Sequence, residues 1–184
     1  SLLNEITEKI GYSLNIEAVA ETIAVTVQNL FNLSTVSYAL KDKNKTLRIK
    51  TFKKENILDA FLARVSQVIF NAMGEIDAEF KTYNILEYPS QFLSEVDREL
   101  YFDTVPLSYF NVPLVINNEL IGMINISSRK KGVYQEADMT LLYKIVNTAQ
   151  KAIGRLEDVI ETEKGKLNSM ILSLPNGAIL FGFN

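Results

Sequence analysis

The sequence has 184 residues, of which 47% are hydrophobic and 22% are charged, with a formal net charge of −3. This composition is typical of one folded domain plus an extension, and it argues against a nucleic-acid-binding module, which needs a basic face. The absence of both Cys and His excludes disulfides, thiolate nucleophiles, a phospho-accepting histidine, the usual zinc sites and imidazole haem ligation.

The sequence also bears on where the protein acts. No apolar run approaches the roughly 20 residues that a membrane span needs, and the N-terminus lacks the pattern of a signal peptide. We therefore expect a cytoplasmic protein whose residues bind and transmit rather than catalyse, with no nucleic-acid partner and no membrane contact. The first residue is Ser1 rather than Met, so we expect a piece of a longer protein.

The N-terminal part of the chain switches from helical to strand periodicity. Apolar residues at helical spacing predict a short amphipathic helix over residues 2–13 and a second helix over Ile16–Phe31. Alternating apolar residues predict two strands, Thr35–Leu40 and Thr46–Lys53. The polar stretch Asp42–Lys45 between them predicts a turn, so the two strands should form a hairpin.

The middle of the chain returns to helical periodicity. A broad apolar stripe predicts a helix over Glu55–Met73 that ends at Gly74, because glycine commonly follows the last helical residue. Alternation near residues 76–82 predicts a short edge strand. Pro89 suits the first turn of a helix, which predicts a further helix over Ser90–Tyr101.

The clearest strand signal follows. Ser108–Ile116 and Leu120–Ser128 alternate, and Asn117 and Asn118 between them tolerate the positive φ angles of a two-residue turn. Hairpins with helices inserted between them indicate an α+β fold. We expect an antiparallel sheet of five to six strands, with the terminal helices on one face and the middle helices and loops on the other.

A long helix is predicted from Gln135 to about Leu174, because apolar residues recur there every third and fourth position. Its first half should pack on its own domain, and its second half should pair with a second copy as a coiled-coil-type linker. An end near Gly154 or Gly165 is the alternative, since interior glycine costs about 1 kcal/mol. The predicted dimer seam, interrupted by Glu163, consists of Val146, Ala149, Ile153, Leu156, Ile160, Leu167 and Met170.

Three stretches of the sequence resemble GAF domains. In Val112–Ile126, a Val-Pro-Leu, a polar turn and an Ile-Gly precede an alternating apolar strand, as in the closing hairpin of that family. Tyr134–Leu142 is similar to the entry of the family's last helix, and Leu14–Val19 is similar to its early helix. The resemblance covers roughly residues 1–155, and the profilin-like relatives of GAF domains share this topology.

This resemblance implies a sensory and dimerisation module upstream of an output domain in the same chain, such as a histidine kinase. GAF domains bind cyclic nucleotides, bilins, haem, amino acids or simple anions. Asn44 and Lys45 match one part of the cyclic-nucleotide signature, but no F-x-x-x-D-E follows them, and the bilin, haem and sulfoxide-reducing members need Cys or His. We therefore expect a non-catalytic homodimer, joined through its terminal helices, with no cofactor, no metal and an unidentified small-molecule ligand.

The C-terminal stretch Ile171–Phe181 resembles the opening of a PAS domain, where a helix ends in S-L-P-x-G and enters the first strand. The predicted organisation is a GAF-like sensory domain over residues 1–155, a coiled-coil-type linker over 156–174 and the start of a PAS-like domain over 175–184. The alternative is a helix that stops at Pro175, followed by an apolar tail that packs back on the sheet.

The candidate ligand site is the face of the last hairpin turned away from the terminal helices. Polar and apolar side chains interleave there, which suits a cavity because buried amides need hydrogen-bond partners. The alternative is that Asn111 and Asn125 hydrogen-bond each other or face water. The predicted site residues are Tyr109, Asn111, Met123, Asn125 and Ser127, with walls from Tyr83, Tyr88, Phe92 and Tyr101.

Three functions fit these expectations. The first is a small-molecule sensor that passes a conformational change through the last helix to an output domain. The second is a ligand-free GAF domain that serves as a dimerisation spacer. The third is the effector domain of a transcription regulator, whose DNA-binding segment would lie outside these residues.

Overall fold

The computed structural model describes residues 16–173. The predicted helix over residues 2–13 and the predicted PAS-like start over 175–184 lie outside the described residues. The elements in chain order are α1 (16–27), β1 (Thr35–Lys41), β2 (Thr46–Ile57), α2 (Asp59–Ile76), a 3-10 helix (Ala78–Thr82), β3 (Asn84–Glu87), β4 (Gln91–Tyr101), β5 (Ser108–Ile116), β6 (Glu119–Ser128) and α3 (Glu136–Ser173).

Both predicted hairpins are present. β1 pairs antiparallel with β2, and β5 pairs antiparallel with β6. Asn117 and Asn118 adopt φ angles of 50° and 64°, as the two-residue turn between β5 and β6 requires. β1 also pairs antiparallel with β6, so the two hairpins join into one four-stranded sheet in the order β2-β1-β6-β5.

The sheet is mixed rather than antiparallel, which corrects the prediction. β3 and β4 both run parallel to β2 and share its outer edge, β3 along Thr46–Ile49 and β4 along Phe52–Ile57. The cause is α2, which crosses back over the sheet between β2 and β3. A chain that returns to its starting end through a helix can only add a parallel strand.

The predicted helix over Ser90–Tyr101 is wrong, because this stretch is the strand β4. The predicted strand near residues 76–82 is also wrong. Its place is taken by the 3-10 helix, where the side chain of Asp77 accepts a hydrogen bond of 3.0 Å from the backbone N–H of Glu79. The predicted helix over Glu55–Met73 is displaced, because β2 continues to Ile57 and α2 runs through Gly74 to Ile76.

Each face of the sheet has its own core, and the terminal and middle helices divide between the two faces as predicted. On one face, here called the α1–α3 face, both helices cover an apolar cluster that includes Tyr38, Phe110 and Ile124. On the opposite face, the α2 face, α2 and the 3-10 helix cover a second cluster that includes Ile49 and Met123. The alternation along the strands assigns the two sets to opposite faces because successive side chains point in opposite directions.

α3 is a single helix of 38 residues, which passes through both Gly154 and Gly165. At about 1.5 Å per residue it is roughly 57 Å long. Leu142, Val146 and Ile153 of its first half are buried in the core of the α1–α3 face. In its second half Val159, Leu167 and Met170 are exposed, so the helix continues beyond the part of the sheet that it covers.

Candidate functional site

A row of four polar side chains crosses the sheet on the α2 face. The strand registers place Asn111, Asn125, Ser37 and Thr51 side by side on β5, β6, β1 and β2. Nδ2 of Asn125 donates to Oδ1 of Asn111 at 2.8 Å, and the hydroxyls of Ser37 and Thr51 share a hydrogen bond of 2.6 Å. We call these four residues the polar row.

Asn125 is fully buried, and its side-chain oxygen is also used, because it accepts a hydrogen bond of 2.6 Å from the hydroxyl of Ser127. The alternative drawn from the sequence, a hydrogen bond between Asn111 and Asn125, is therefore confirmed. Met123 is buried in the α2-face core beside the row. These amides find their partners within the protein, as buried polar groups generally do.

The outer end of the polar row reaches the surface in a small cleft beside α2. This α2–β5 cleft has a volume of about 300 Å³ and is lined by Arg64, Gln67, Val68, Asn71, Ala72, Glu75, Tyr109 and Asn111. Tyr109 is half exposed there, while Ser127 is buried on the next strand. The structure therefore brings two of the predicted ligand residues, Tyr109 and Asn111, to one cleft, with Asn125 and Ser127 behind them.

The four predicted wall residues do not join this cleft. Tyr83 packs against Phe80, with ring centroids 4.7 Å apart, and Tyr88 lies near Arg48. Phe92 is exposed on β4, where Nζ of Lys53 stands 4.1 Å from its ring centroid. The sequence placed these aromatic residues on one covering segment, but Tyr83 precedes β3, Tyr88 follows it, and Phe92 and Tyr101 lie on the strand β4.

Tyr101, the remaining wall residue, belongs to a charged cluster at the end of β2. The guanidinium carbon of Arg129 lies 3.7 Å from the Tyr101 ring centroid, and Nε of Arg129 donates to Glu55 at 2.7 Å. Ser34 donates to the other oxygen of Glu55 at 2.5 Å and accepts from the backbone N–H of Arg129 at 2.9 Å. The cluster ties the start of β1 and the ends of β2, β4 and β6 together.

Tyr101 also donates a hydrogen bond to Asp97, and this bond holds the pKa of Asp97 below its ordinary value. The same bond raises the pKa of Tyr101 to about 12. The Asp97 carboxylate is exposed, so its bond to Tyr101 contributes little to global stability.

A larger cleft lies elsewhere, at the end of the sheet where the two hairpins turn. This hairpin-end cleft has a volume of about 740 Å³. The described residues that line it are Ile16, Leu40, Lys41, Asp42, Lys43, Asn44, Lys45, Arg48, Glu79, Tyr83, Ile116, Asn117, Glu119 and Ile121. The sequence analysis took Asp42–Lys45 as a polar turn, compared Asn44 and Lys45 with the cyclic-nucleotide signature and did not predict this cleft, although Lys41, Lys43 and Lys45 surround the turn.

Arg48 connects the hairpin-end cleft to α1. Its Nη1 donates to Glu17 of α1 at 3.4 Å and to the hydroxyl of Tyr88 at 3.5 Å. Burial lowers the pKa of Arg48, but the bond to Tyr88 and the charge of Glu17 outweigh it and the pKa lies above its ordinary value. Glu17 also accepts from the buried hydroxyl of Tyr38, whose pKa is raised chiefly by burial.

The predicted dimer seam divides into two parts. Val146 and Ile153 are buried in their own α1–α3 core, and Ala149 packs against it, so these three side chains already have contacts within the chain. Ile160 is half-buried, whereas Leu167 and Met170 are exposed. The side chain of Leu156 lies outside the described part of the structure. The buried side chains of Val146 and Ile153 are therefore not available for contact with a second copy.

Within residues 16–173, no helix is both long and apolar enough to cross a membrane. The same residues contain no group of three or more acidic side chains placed to hold a metal ion. Comparison with models of protein families, with curated proteins and with solved structures finds no match in any of the three.

Proposed function

We propose that the chain is a GAF-like sensory and dimerisation module of a signal-transduction protein, and that α3 passes a conformational change to an output domain such as a histidine kinase. The motif of the β5–β6 hairpin and the placement of α1 and α3 on one face of the sheet support the GAF-like assignment.

The observation that carries the proposal is the exposed second half of α3. Val159, Leu167 and Met170 remain exposed on a helix that has already left its own core at Ile153. An isolated helix of this length is marginal in water, so packing of exposed apolar side chains would stabilise it. Leu167 and Met170 follow the predicted spacing of three and four, which suits a coiled coil with a second copy that would bury them, whereas Val159 lies outside this seam.

α3 is also attached to the sheet in a way that suits transmission. Oε1 of Gln150 accepts a hydrogen bond of 3.1 Å from the backbone N–H of Val115 on β5, next to the buried Val146 and Ile153. A shift of β5 would therefore move the helix, and its extended half would carry the movement away from the domain. A ligand drives such a change only to the extent that it binds one of the two arrangements more tightly.

A specific observation favours a second function, the ligand-free dimerisation spacer. The amides of Asn111 and Asn125 bond each other, and α2 fills the face beside them with Phe61, Val65 and Ile69. The face that was predicted to hold a ligand therefore has a packed interior. In this second function α3 sets the distance and orientation of its neighbouring domains, and no ligand changes its state.

Dimerisation is tested by sedimentation equilibrium on the full chain and two variants. Leu167→Asp places a charge in the proposed seam and should shift the chain to monomer, because a buried unpaired charge is strongly disfavoured. Asn168→Asp places the same charge one residue away, outside the seam, and should leave the dimer intact. A wild-type chain that remains monomeric at all concentrations would contradict the proposal.

The sensor and the spacer are distinguished by thermal unfolding against amino acids, carboxylates, nucleotides and purines. A ligand that binds the native state raises the midpoint in a concentration-dependent way. A midpoint that responds to one chemical class, together with a change in the dimer constant, favours the sensor. A dimer whose unfolding midpoint and dimer constant do not change with any compound tested favours the spacer.

A further inference from the structure

The hairpin-end cleft combines an apolar floor with a basic rim. Leu40, Ile116 and Ile121 are buried side chains of β1, β5 and β6 that line its floor. Lys41, Lys43 and Lys45 line its rim from the β1–β2 turn. The volume of about 740 Å³ lies in the range of roughly 300–1,000 Å³ that is typical of small-molecule sites.

Most of the carboxylates that line this cleft already have partners within the protein. Glu119 forms an ion pair with Lys41, and the carboxylate of Asp42 accepts the backbone N–H groups of Asn44 and Thr46 at 2.9 and 3.1 Å. Glu79 is the remaining carboxylate among the described lining residues. Among the described lining residues four side chains are basic and three are acidic, so the lining carries a small excess of positive charge on a chain whose net charge is −3.

Arg48 lies at the inner end of the cleft and is only loosely bonded there. It lines the cleft through atoms other than Nε, since Nε has no solvent-accessible surface and no hydrogen-bond partner within the described residues. Its two bonds to Glu17 and Tyr88, at 3.4 and 3.5 Å, are at the long end of the hydrogen-bond range. A guanidinium carries five N–H donors in a planar fork that fits a carboxylate or phosphate, and an unpaired buried donor is costly.

We propose that the hairpin-end cleft binds a small organic anion, with its carboxylate or phosphate group beside Arg48 and its apolar body against Ile116 and Ile121. The site differs from the α2-face site that the sequence predicted, and it is lined on one side by the first described residue of α1, Ile16. The proposal does not depend on the proposed function. Binding without any effect on dimerisation would establish the site and count against a sensory role.

The test is a titration of the full chain, labelled with ¹⁵N, followed by NMR chemical shifts. The probes are benzoate and phenyl phosphate, and benzyl alcohol is the uncharged control. We expect saturable shifts at Leu40, Ile121 and Tyr83 with at least one of the two anions, and no saturable shift with benzyl alcohol.

Two variants localise the anionic group. Arg48→Gln should weaken binding at least about tenfold, because it removes a charge-assisted hydrogen bond. Arg98→Gln, at an exposed arginine of β4 outside the cleft, should bind like the wild type. If Arg48→Gln does not fold, the double variant Lys43→Gln/Lys45→Gln on the exposed rim takes its place. It tests whether basic side chains of the cleft bind the anionic group, and it should weaken binding.

Three results of the titration itself would overturn the proposal. They are the absence of saturable shifts with both anions up to about 10 mM, equal binding of benzyl alcohol, and shifts confined to the α2–β5 cleft. Unchanged affinity in the folded Arg48→Gln variant, or in the lysine double variant if that one has to be used, would also overturn it.

Discussion

Asn125 donates a hydrogen bond from Nδ2 to Oδ1 of Asn111 across the β5–β6 pair, at 2.8 Å. A residue that alternation alone marked as a ligand contact is thus held by its neighbours on the sheet. Asn125 has no exposed surface, while Asn111 is partly exposed in the α2–β5 cleft. The pair therefore joins the buried polar row to the surface.

The first prediction concerns this pair. Asn125→Ala should lower the free energy of unfolding by about 1–3 kcal/mol, because the buried hydroxyl of Ser127 loses its acceptor. Asn71→Ala, at an exposed asparagine of α2, is the matched control and should change it by less than about 0.5 kcal/mol. Urea unfolding of both variants measures the difference. Equal effects would mean that the buried amide contributes nothing specific.

The second prediction concerns Gly122, the glycine of the Ile-Gly motif. A Cβ atom at this position would lie 2.1 Å from the backbone oxygen of Ala39, so the two strands can approach only without a side chain there. Gly122→Ala should destabilise the protein by about 1–3 kcal/mol or more. Gly154→Ala in α3 meets only the Asn117 side chain at 3.6 Å and should stabilise by up to about 1 kcal/mol.

Both glycine variants are measured by thermal and urea unfolding. A Gly122→Ala protein as stable as the wild type would contradict the close approach of β1 and β6.

The third prediction concerns Glu163, the charged residue in the predicted seam. Its carboxylate is exposed and lies 3.5 Å from Nζ of Lys166 on the same helix, an arrangement worth little energy. Glu163→Leu should tighten dimerisation by at least about tenfold, which is about 1.4 kcal/mol, by adding an apolar layer. Glu161→Leu, outside the seam, is the control for added hydrophobicity. Sedimentation equilibrium that finds the same dimer constant for both variants would exclude this seam.

The fourth prediction is a pH effect at β4. Because its folded-state pKa is lowered, Asp97 contributes stability above its unfolded pKa of about 3.9, and the contribution is lost as the pH falls through the lower, folded value. In Tyr101→Phe the carboxylate loses its hydroxyl partner, so the pKa of Asp97 should rise toward its ordinary value. The ring that faces Arg129 is retained in this variant.

The pKa of Asp97 is measured by an NMR titration of its carboxyl carbon. Tyr109→Phe, at an exposed tyrosine of β5, should leave this titration unchanged. An Asp97 titration that is the same in Tyr101→Phe and in the wild type would show that backbone hydrogen bonding alone sets the pKa.

The hairpins and the long helix could be predicted because their periodicity persists over many residues. β4 could not, since Phe92, Leu93, Val96 and Leu100 follow helical spacing. The reason is visible in its pairing: Lys53 and Glu55 are two residues apart on β2, while their partners Phe92 and Asp97 are five residues apart on β4. Such bulges destroy the period of two on which strand prediction depends.

The candidate site was only partly predictable for a related reason. Alternation along β5 and β6 placed Asn111 and Asn125 on one face, but whether they bond each other or a ligand depends on strand register. Arg48 was not predicted as a site residue because a single arginine within a strand gives no local sequence pattern. Its role follows from Tyr88 and Glu17, which lie 40 and 31 positions away in the sequence.

The pairing of β1 with β6 has a consequence for how the chain folds. Each hairpin forms between neighbouring residues, but Val36 pairs with Ile126 only after the intervening chain has closed into a loop. Loop closure costs entropy before any contact repays it, so this step should limit the folding rate. Gly122 lies opposite Leu40 at this junction. We therefore expect it to affect the folding rate as well as the stability of the sheet. Neither hairpin alone can form the β1–β6 pairing that completes the sheet.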